Sequence, residues 1–140
     1  MSTSLNQEYP TCKATYVSLR ILKDDPDVED ITTRLGICPS EISGKGKLHS
    51  DDKRSEIGGW FLCSKRIIHS TDTARHLEWL LDQLTPKQKV LEDLRKEGFV
   101  LDVSCYWLSA YGQGGPTLSP AIMEKLGSLG LELWFDVYLG

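Results

Sequence analysis

Residues 99–120 read FVLDVSCYWLSAYGQGGPTLSP. Over the first nine positions apolar and polar side chains alternate, which is the period of a β-strand buried on one face. The apolar side carries Phe99, Leu101, Val103, Cys105 and Trp107. A glycine-rich loop follows and leads to Ser119 and Pro120, which suit the cap and the first position of a helix. The segment therefore predicts a strand, a loop and a helix in direct succession.

Other segments show the same two periods. Residues 11–22 and 131–138 alternate like strands, and residues 58–64 form a compact apolar strand after two glycines. The residues expected on the buried side are Thr15, Val17, Leu19, Ile21, Leu131, Leu133, Phe135 and Val137. Helical spacing, with its start and stop signals, predicts helices from 28 to 35, from Ser70 or Thr71 to Leu84, from Pro86 to Gly98, and from Ser119 to Leu129.

This order of elements favours an α+β fold. We expect a ferredoxin-like sandwich, with an antiparallel or mixed sheet of four or five strands and helices on one face. A doubly wound parallel sheet is the alternative, but its strands would be continuously hydrophobic rather than alternating. The 140 residues are expected to form a single domain. We expect disorder at residues 1–10 and a mobile excursion at residues 37–57, where glycine, lysine and aspartate are concentrated.

The overall composition disfavours several classes of protein. The net charge is −4, which argues against general binding to nucleic acid or to an anionic membrane. No apolar run approaches the roughly 20 residues that span a bilayer. The first ten residues lack the basic and apolar regions of a secretion signal. We therefore expect a cytoplasmic protein without nucleic-acid or membrane partners.

The motifs of metal, cofactor and catalytic sites are missing from the sequence. The four cysteines form no C-x-x-C pair, and the three histidines have no partner at helical spacing, so we expect no metal site. Cys63 and Cys105 lie in apolar strands and are expected to be buried, reduced thiols. The glycine-rich loop matches neither a P-loop nor a dinucleotide fingerprint, and no nucleophile turn occurs. No cofactor and no catalytic residue is expected.

Alternation also places polar and aromatic side chains on the face away from the helices. Large aromatic side chains on such a face are typical of a surface that a partner covers. The candidate interface residues are Tyr16, Arg20, Tyr106, Trp134 and Tyr138. Two copies that pack sheet to sheet are the favoured interpretation, and coverage by residues 37–57 is the second. Stacking of single-stranded bases is disfavoured, because Asp102 and Asp136 lie where phosphates would approach.

The glycine-rich loop permits two interpretations. Backbone N–H groups that converge at a helix start can hold an anion, whereas glycines more often serve an ordinary turn. The candidate ligand-binding residues of the loop are Ser109, Tyr111, Gln113, Gly114, Gly115, Thr117 and Ser119. His76 and Trp79 share one side of a helix, but nothing in the sequence brings a nucleophile or carboxylate to them. A histidine with structural hydrogen bonds is therefore favoured at position 76.

Several motifs together resemble a known family. They are Gly58-Gly59-Trp60, His76-Leu77-Glu78-Trp79, Cys105-Tyr106-Trp107, the Gly112–Pro120 loop and Leu129-Gly130-Leu131. From about Thr15 to Tyr138 the chain resembles small bacterial proteins catalogued as a domain of unknown function, number 4279. The resemblance implies a single-domain, soluble bacterial protein and carries over no catalytic residue. It adds Trp60, His76, Trp79 and Tyr106 to the candidate ligand-binding positions.

Two functional hypotheses follow. The favoured one is a non-catalytic binding or interaction protein, such as an immunity or regulatory protein, whose partner is another protein or a second copy. It rests on the acidic net charge, the aromatic face and the lack of a convergent catalytic set. The alternative is a small-ligand or enzymatic site for an anionic metabolite at residues 112–120.

Overall fold

The computed structural model describes residues 9–43 and 57–140 of the chain. Most of the two segments expected to be disordered or mobile, residues 1–8 and 44–56, lies outside the described residues. The described strands are β1 (Cys12–Asp24), β2 (Glu41–Ser43), β3 (Ile57–Cys63), β4 (Val100–Ser109) and β5 (Glu132–Tyr138). The described α-helices are α1 (Val28–Leu35), α2 (Thr73–Leu84), α3 (Gln88–Lys96) and α4 (Pro120–Ser128).

The five strands form one mixed sheet in the order β2-β3-β1-β4-β5. Three of the neighbouring pairs are antiparallel, and only β4 and β5 are parallel. The parallel pair follows from the connection through α4, because a crossover helix returns the chain to the same end of the sheet. The α+β class and the mixed sheet predicted from the sequence are confirmed.

The helices pack on one face of the sheet. Val17, Leu19 and Ile21 of β1 are fully buried there, as are the leucines of α2 at positions 77, 80, 81 and 84. Polar contacts join the same layers, because Thr15 Oγ1 lies 2.8 Å from Thr73 Oγ1 of α2. One-sided burial is therefore the arrangement that the alternating sequence predicts.

The helix starts show which polar residues act as caps. Ser119 Oγ accepts a hydrogen bond from the Ile122 N–H at 3.2 Å, as the sequence predicts. Helix α2 begins later than predicted, at Thr73, because the Asp72 carboxylate caps it by accepting from Ala74 N–H at 3.0 Å. Pro86 lies in a 3-10 turn, Thr85–Lys87, that joins α2 to α3.

Two predicted core positions are less buried than expected. Phe135 and Val137 of β5 lie beside Cys105 and Trp107 of β4, on the helix side, yet they are 40% and 48% exposed. Strand β5 is the last of the sheet and packs mainly under the short α4. Cys63, expected to be buried, is only half-buried, because it pairs with Ser18 on the open face.

Candidate functional site

Three tyrosines form a row across the open face of the sheet. Tyr16, Tyr106 and Tyr138 lie on β1, β4 and β5, with ring centroids 4.8 Å apart for the first pair and 5.2 Å for the second. The Lys65 ammonium lies 5.3 Å from the centroid of the Tyr16 ring. Burial, followed by nearby titratable groups, raises the pKa of Tyr16. The rings of Tyr16 and Tyr106 are stacked, so one face of each is covered by the other.

An ion pair and a tryptophan continue the open face. Arg20 donates two hydrogen bonds to Asp102, from Nε at 2.7 Å and from Nη2 at 2.8 Å. The hydrogen bond to Asp102 raises the pKa of Arg20, and the guanidinium lies 5.2 Å from the Trp134 ring centroid. The structure therefore places all five predicted interface residues on one face: Tyr16, Arg20, Tyr106, Trp134 and Tyr138.

Strand β5 exposes apolar side chains on both of its sides. Trp134 and Tyr138 of the open face are 41% and 49% exposed, and Phe135 and Val137 point to the other side. Leu139, just after the strand, is 66% exposed. Among the described residues β5 pairs with β4 alone, so its outer edge of backbone groups has no strand beside it.

The glycine-rich loop is bound to the rest of the chain by internal hydrogen bonds. Ser109 Oγ accepts from the N–H groups of Tyr111 and Gln113 and donates to the Gln113 carbonyl at 2.8 Å. The Tyr9 hydroxyl donates to the Gly115 carbonyl at 2.7 Å and lies 2.9 Å from Thr117 Oγ1. Three N–H groups of the predicted anion site therefore already have partners: those of Tyr111 and Gln113, and that of Ile122 on Ser119.

Gly114 fits this loop for a steric reason. Its φ is +95°, and a Cβ there would lie 2.8 Å from Thr11 Cβ. The loop brings together all seven candidate residues predicted for it, Ser109, Tyr111, Gln113, Gly114, Gly115, Thr117 and Ser119. Ligand binding by these residues stays a prediction.

His76 lies under the link between β3 and α2, residues 64–72. Its Nε2 lies 2.9 Å from the Ser70 carbonyl, which can only accept, so Nε2 carries the proton. Its Nδ1 then accepts from the Ser64 hydroxyl at 2.6 Å. Burial lowers the pKa of His76, which favours the neutral ring. These contacts fasten the link to α2.

The sheet separates Tyr106 from Trp60, His76 and Trp79, the other aromatic positions predicted for a ligand site. Trp60 is fully buried on the helix side, where its Nε1 donates to Thr32 Oγ1 at 2.9 Å. Trp79 is partly buried and lines a small surface pocket with Arg75 and Glu78. Tyr106 lies on the open face, so the structure does not bring it together with the other three.

The sequence pattern misses a groove beside β1. The pairing of β3 with β1 ends at Cys63, opposite Ser18, so the earlier residues of β1 have the 64–72 link beside them instead of a strand. The space between is about 540 Å³. We call it the basic groove; its lining includes Lys13, Tyr16, Lys65, Ile68, His69 and Tyr106. Its charged residues are far apart in sequence, so no local motif reveals them.

Residues 9–43 and 57–140 contain no group of three histidine, cysteine or acidic side chains that could hold a metal ion. Nor do they contain a helix with the length and apolar character that crossing a membrane requires.

Comparison with known proteins identifies a family but assigns no activity to the chain. No curated protein matches the chain, and no solved structure does. Residues 12–140 match the sequence profile of a domain of unknown function, DUF4279. The match covers nearly the whole chain and agrees with the resemblance seen in its motifs. The chain belongs to this DUF4279 family.

Proposed function

We propose that this protein is a non-catalytic binding protein that pairs with a second copy of itself through β5. The observation that carries the proposal is the exposure of five large apolar side chains in one short stretch, residues 134–139. Exposed apolar patches of this kind are typical of interaction surfaces. Partners on the open face alone would leave Phe135 and Val137 in water, whereas a strand added to the edge sets side chains beside those of β5 on both faces of the sheet.

The edge itself supports pairing with another strand. Residues 132–138 contain neither lysine nor proline, the residues that commonly block edge strands. The opposite edge, β2, has three described residues, so within the part of the chain that the structure describes β5 is the longer edge strand. Pairing of identical edges about a two-fold axis closes after two copies.

The residues of β5 suggest one register. When the two-fold axis passes through Asp136, Trp134 lies opposite Tyr138 of the second copy, and Phe135 lies opposite Val137 of the second copy. Cross-strand pairs of aromatic and β-branched residues stabilise a sheet by about 0.2–1 kcal/mol each. The same register sets the two Asp136 carboxylates opposite each other, which weakens the pair. We therefore expect a dimer that forms and dissociates with concentration.

The face-to-face dimer expected from the sequence is the runner-up. It would cover the tyrosine row but not the helix side of β5. Stacking of nucleic-acid bases has less support, because the faces of the Tyr16 and Tyr106 rings already lie against each other.

Sedimentation velocity over a range of protein concentrations tests the proposal. Trp134→Ser should shift the monomer–dimer equilibrium towards monomer, because it removes an aromatic side chain from the paired edge. Met123→Ser is the matched control, since Met123 is 51% exposed and belongs to α4 rather than to β5. Asp136→Asn should strengthen the dimer by removing the opposed charges. A protein that stays monomeric throughout, or a dimer that Trp134→Ser leaves unchanged, would overturn the proposal.

We also propose the ferredoxin-like core, the cytoplasmic location and the immunity or regulatory role that the sequence predicts. The antiparallel order β2-β3-β1-β4 supports a ferredoxin-like core to which α4 and β5 are added. The four cysteines are free thiols, which supports the expected cytoplasmic location. An immunity or regulatory role would use the same exposed surface.

A further inference from the structure

The basic groove combines the size of a ligand pocket with an unusual charge for this chain. Its volume of about 540 Å³ lies within the range of small-molecule sites. Lys13, Lys65 and His69 all line it, and no acidic residue from the described part of the chain does. The whole chain has a net charge of −4, so this is a local reversal of sign.

Among the described residues, the two lysines of the groove lack the carboxylate partner that several cations elsewhere have. Arg20, Arg34, Lys89 and Lys125 each lie within 3.4 Å of a carboxylate. Within residues 9–43 and 57–140, neither Lys13 nor Lys65 has a carboxylate partner. Two unneutralised ammonium groups facing one cavity attract an anion.

The remaining lining groups define the shape of the anion. Tyr16 and Tyr106 of the tyrosine row both line the groove, and a tyrosine hydroxyl can donate a hydrogen bond to an oxyanion. Ile68 and the tyrosine rings supply apolar contact for an organic group. The donors thus suit a compact oxygen anion joined to a small apolar body.

We infer that the basic groove binds a small organic molecule through a phosphate or carboxylate group held by Lys13 and Lys65. This site is separate from the glycine-rich loop, and it goes beyond the proposed pairing through β5. Lys65 is placed for the role because its ammonium is held over Tyr16, at the border between this groove and a second cavity of about 640 Å³.

Calorimetric titration of the full chain with phenyl phosphate and with benzoate tests the inference. We expect saturable binding of at least one compound, and we expect Lys65→Gln to raise its dissociation constant at least about tenfold, the order of one lost charge-assisted contact. Lys13→Gln should act in the same direction. Inorganic phosphate as a competitor then separates recognition of the anion from recognition of the ring.

Lys96→Gln is the matched control, because it removes the same charge from the exposed end of α3. Binding that falls equally in Lys65→Gln and Lys96→Gln would be general attraction and would overturn the inference. The absence of saturable binding by both compounds at millimolar concentration would overturn it too. None of these variants touches β5, so sedimentation reports on the proposed pairing independently.

Discussion

At the scale of single residues, two glycines differ in how much space their surroundings leave for a side chain. A Cβ at Gly58 would meet the Ser43 carbonyl oxygen and lie 2.5 Å from Pro26 Cδ, whereas a Cβ at Gly127 would meet nothing within 4 Å. We expect Gly58→Ala to lower the free energy of unfolding by about 1–3 kcal/mol. Gly127→Ala should raise it by at most about 1 kcal/mol, because alanine favours a helix more than glycine does and Gly127 lies in the last turn of α4. Urea unfolding measures both, and equal effects would contradict this account.

His76 makes stability depend on pH. Burial lowers its pKa below the ordinary value of 6.5, so the unfolded chain binds the proton more tightly than the folded one. The contribution of His76 to the free energy of unfolding is therefore fully present above pH 6.5. It is lost as the pH falls below that value, by at most about 1.4 kcal/mol per pH unit. Urea unfolding at pH 7.5 and 5.5 should show this difference. His76→Gln should reduce it.

The cysteines should differ in reactivity. Burial raises the pKa of Cys12 to about 11 and also raises the pKa of Cys105, so little of either thiol is the reactive thiolate at pH 8. Cys38 is exposed. We expect iodoacetamide to modify Cys38 in the folded protein and to reach Cys12 and Cys105 only after unfolding. Mass spectrometry of peptides gives the order; equal rates for Cys12 and Cys38 would contradict it.

At the scale of elements, the Arg20–Asp102 pair joins neighbouring strands. The pair links β1 to β4, and Arg20 also lies over Trp134 of β5. Two hydrogen bonds between charged groups, partly shielded from water, should give a coupling of about 1–2 kcal/mol. A double-mutant cycle with Arg20→Gln and Asp102→Asn measures it. The exposed Lys89–Asp93 pair of α3 is the control and should give less than about 0.5 kcal/mol.

The elements also show where periodicity suffices as evidence and where it does not. It locates β1, β4 and β5 and assigns their faces, because a residue two positions along a strand must return to the same side. It does not show how completely a face is covered. Cys63 and Phe135 both belong to apolar runs, yet one lies on the open face and the other on the last strand of the sheet.

At the scale of the whole molecule, pairing through β5 should link stability to concentration. A partner that binds only the folded chain raises the melting temperature as protein concentration rises. We expect this rise for the unmodified chain and its absence in Trp134→Ser. Differential scanning calorimetry at two protein concentrations about a hundredfold apart measures this dependence of the melting temperature on concentration. A melting temperature independent of concentration in both proteins would argue against the dimer.

The sequence by itself determined the α+β class, the alternating faces, the Ser119 cap and the family, since each depends on local patterns or on their order along the chain. It also predicted the glycine-rich loop as a candidate binding site. The tertiary structure alone decided that Ser109 engages N–H groups of that loop, and that Lys13 and Lys65 face one groove. The reason is physical: these two lysines are 52 positions apart in the sequence, and no local pattern records which distant residues the order of strands brings together.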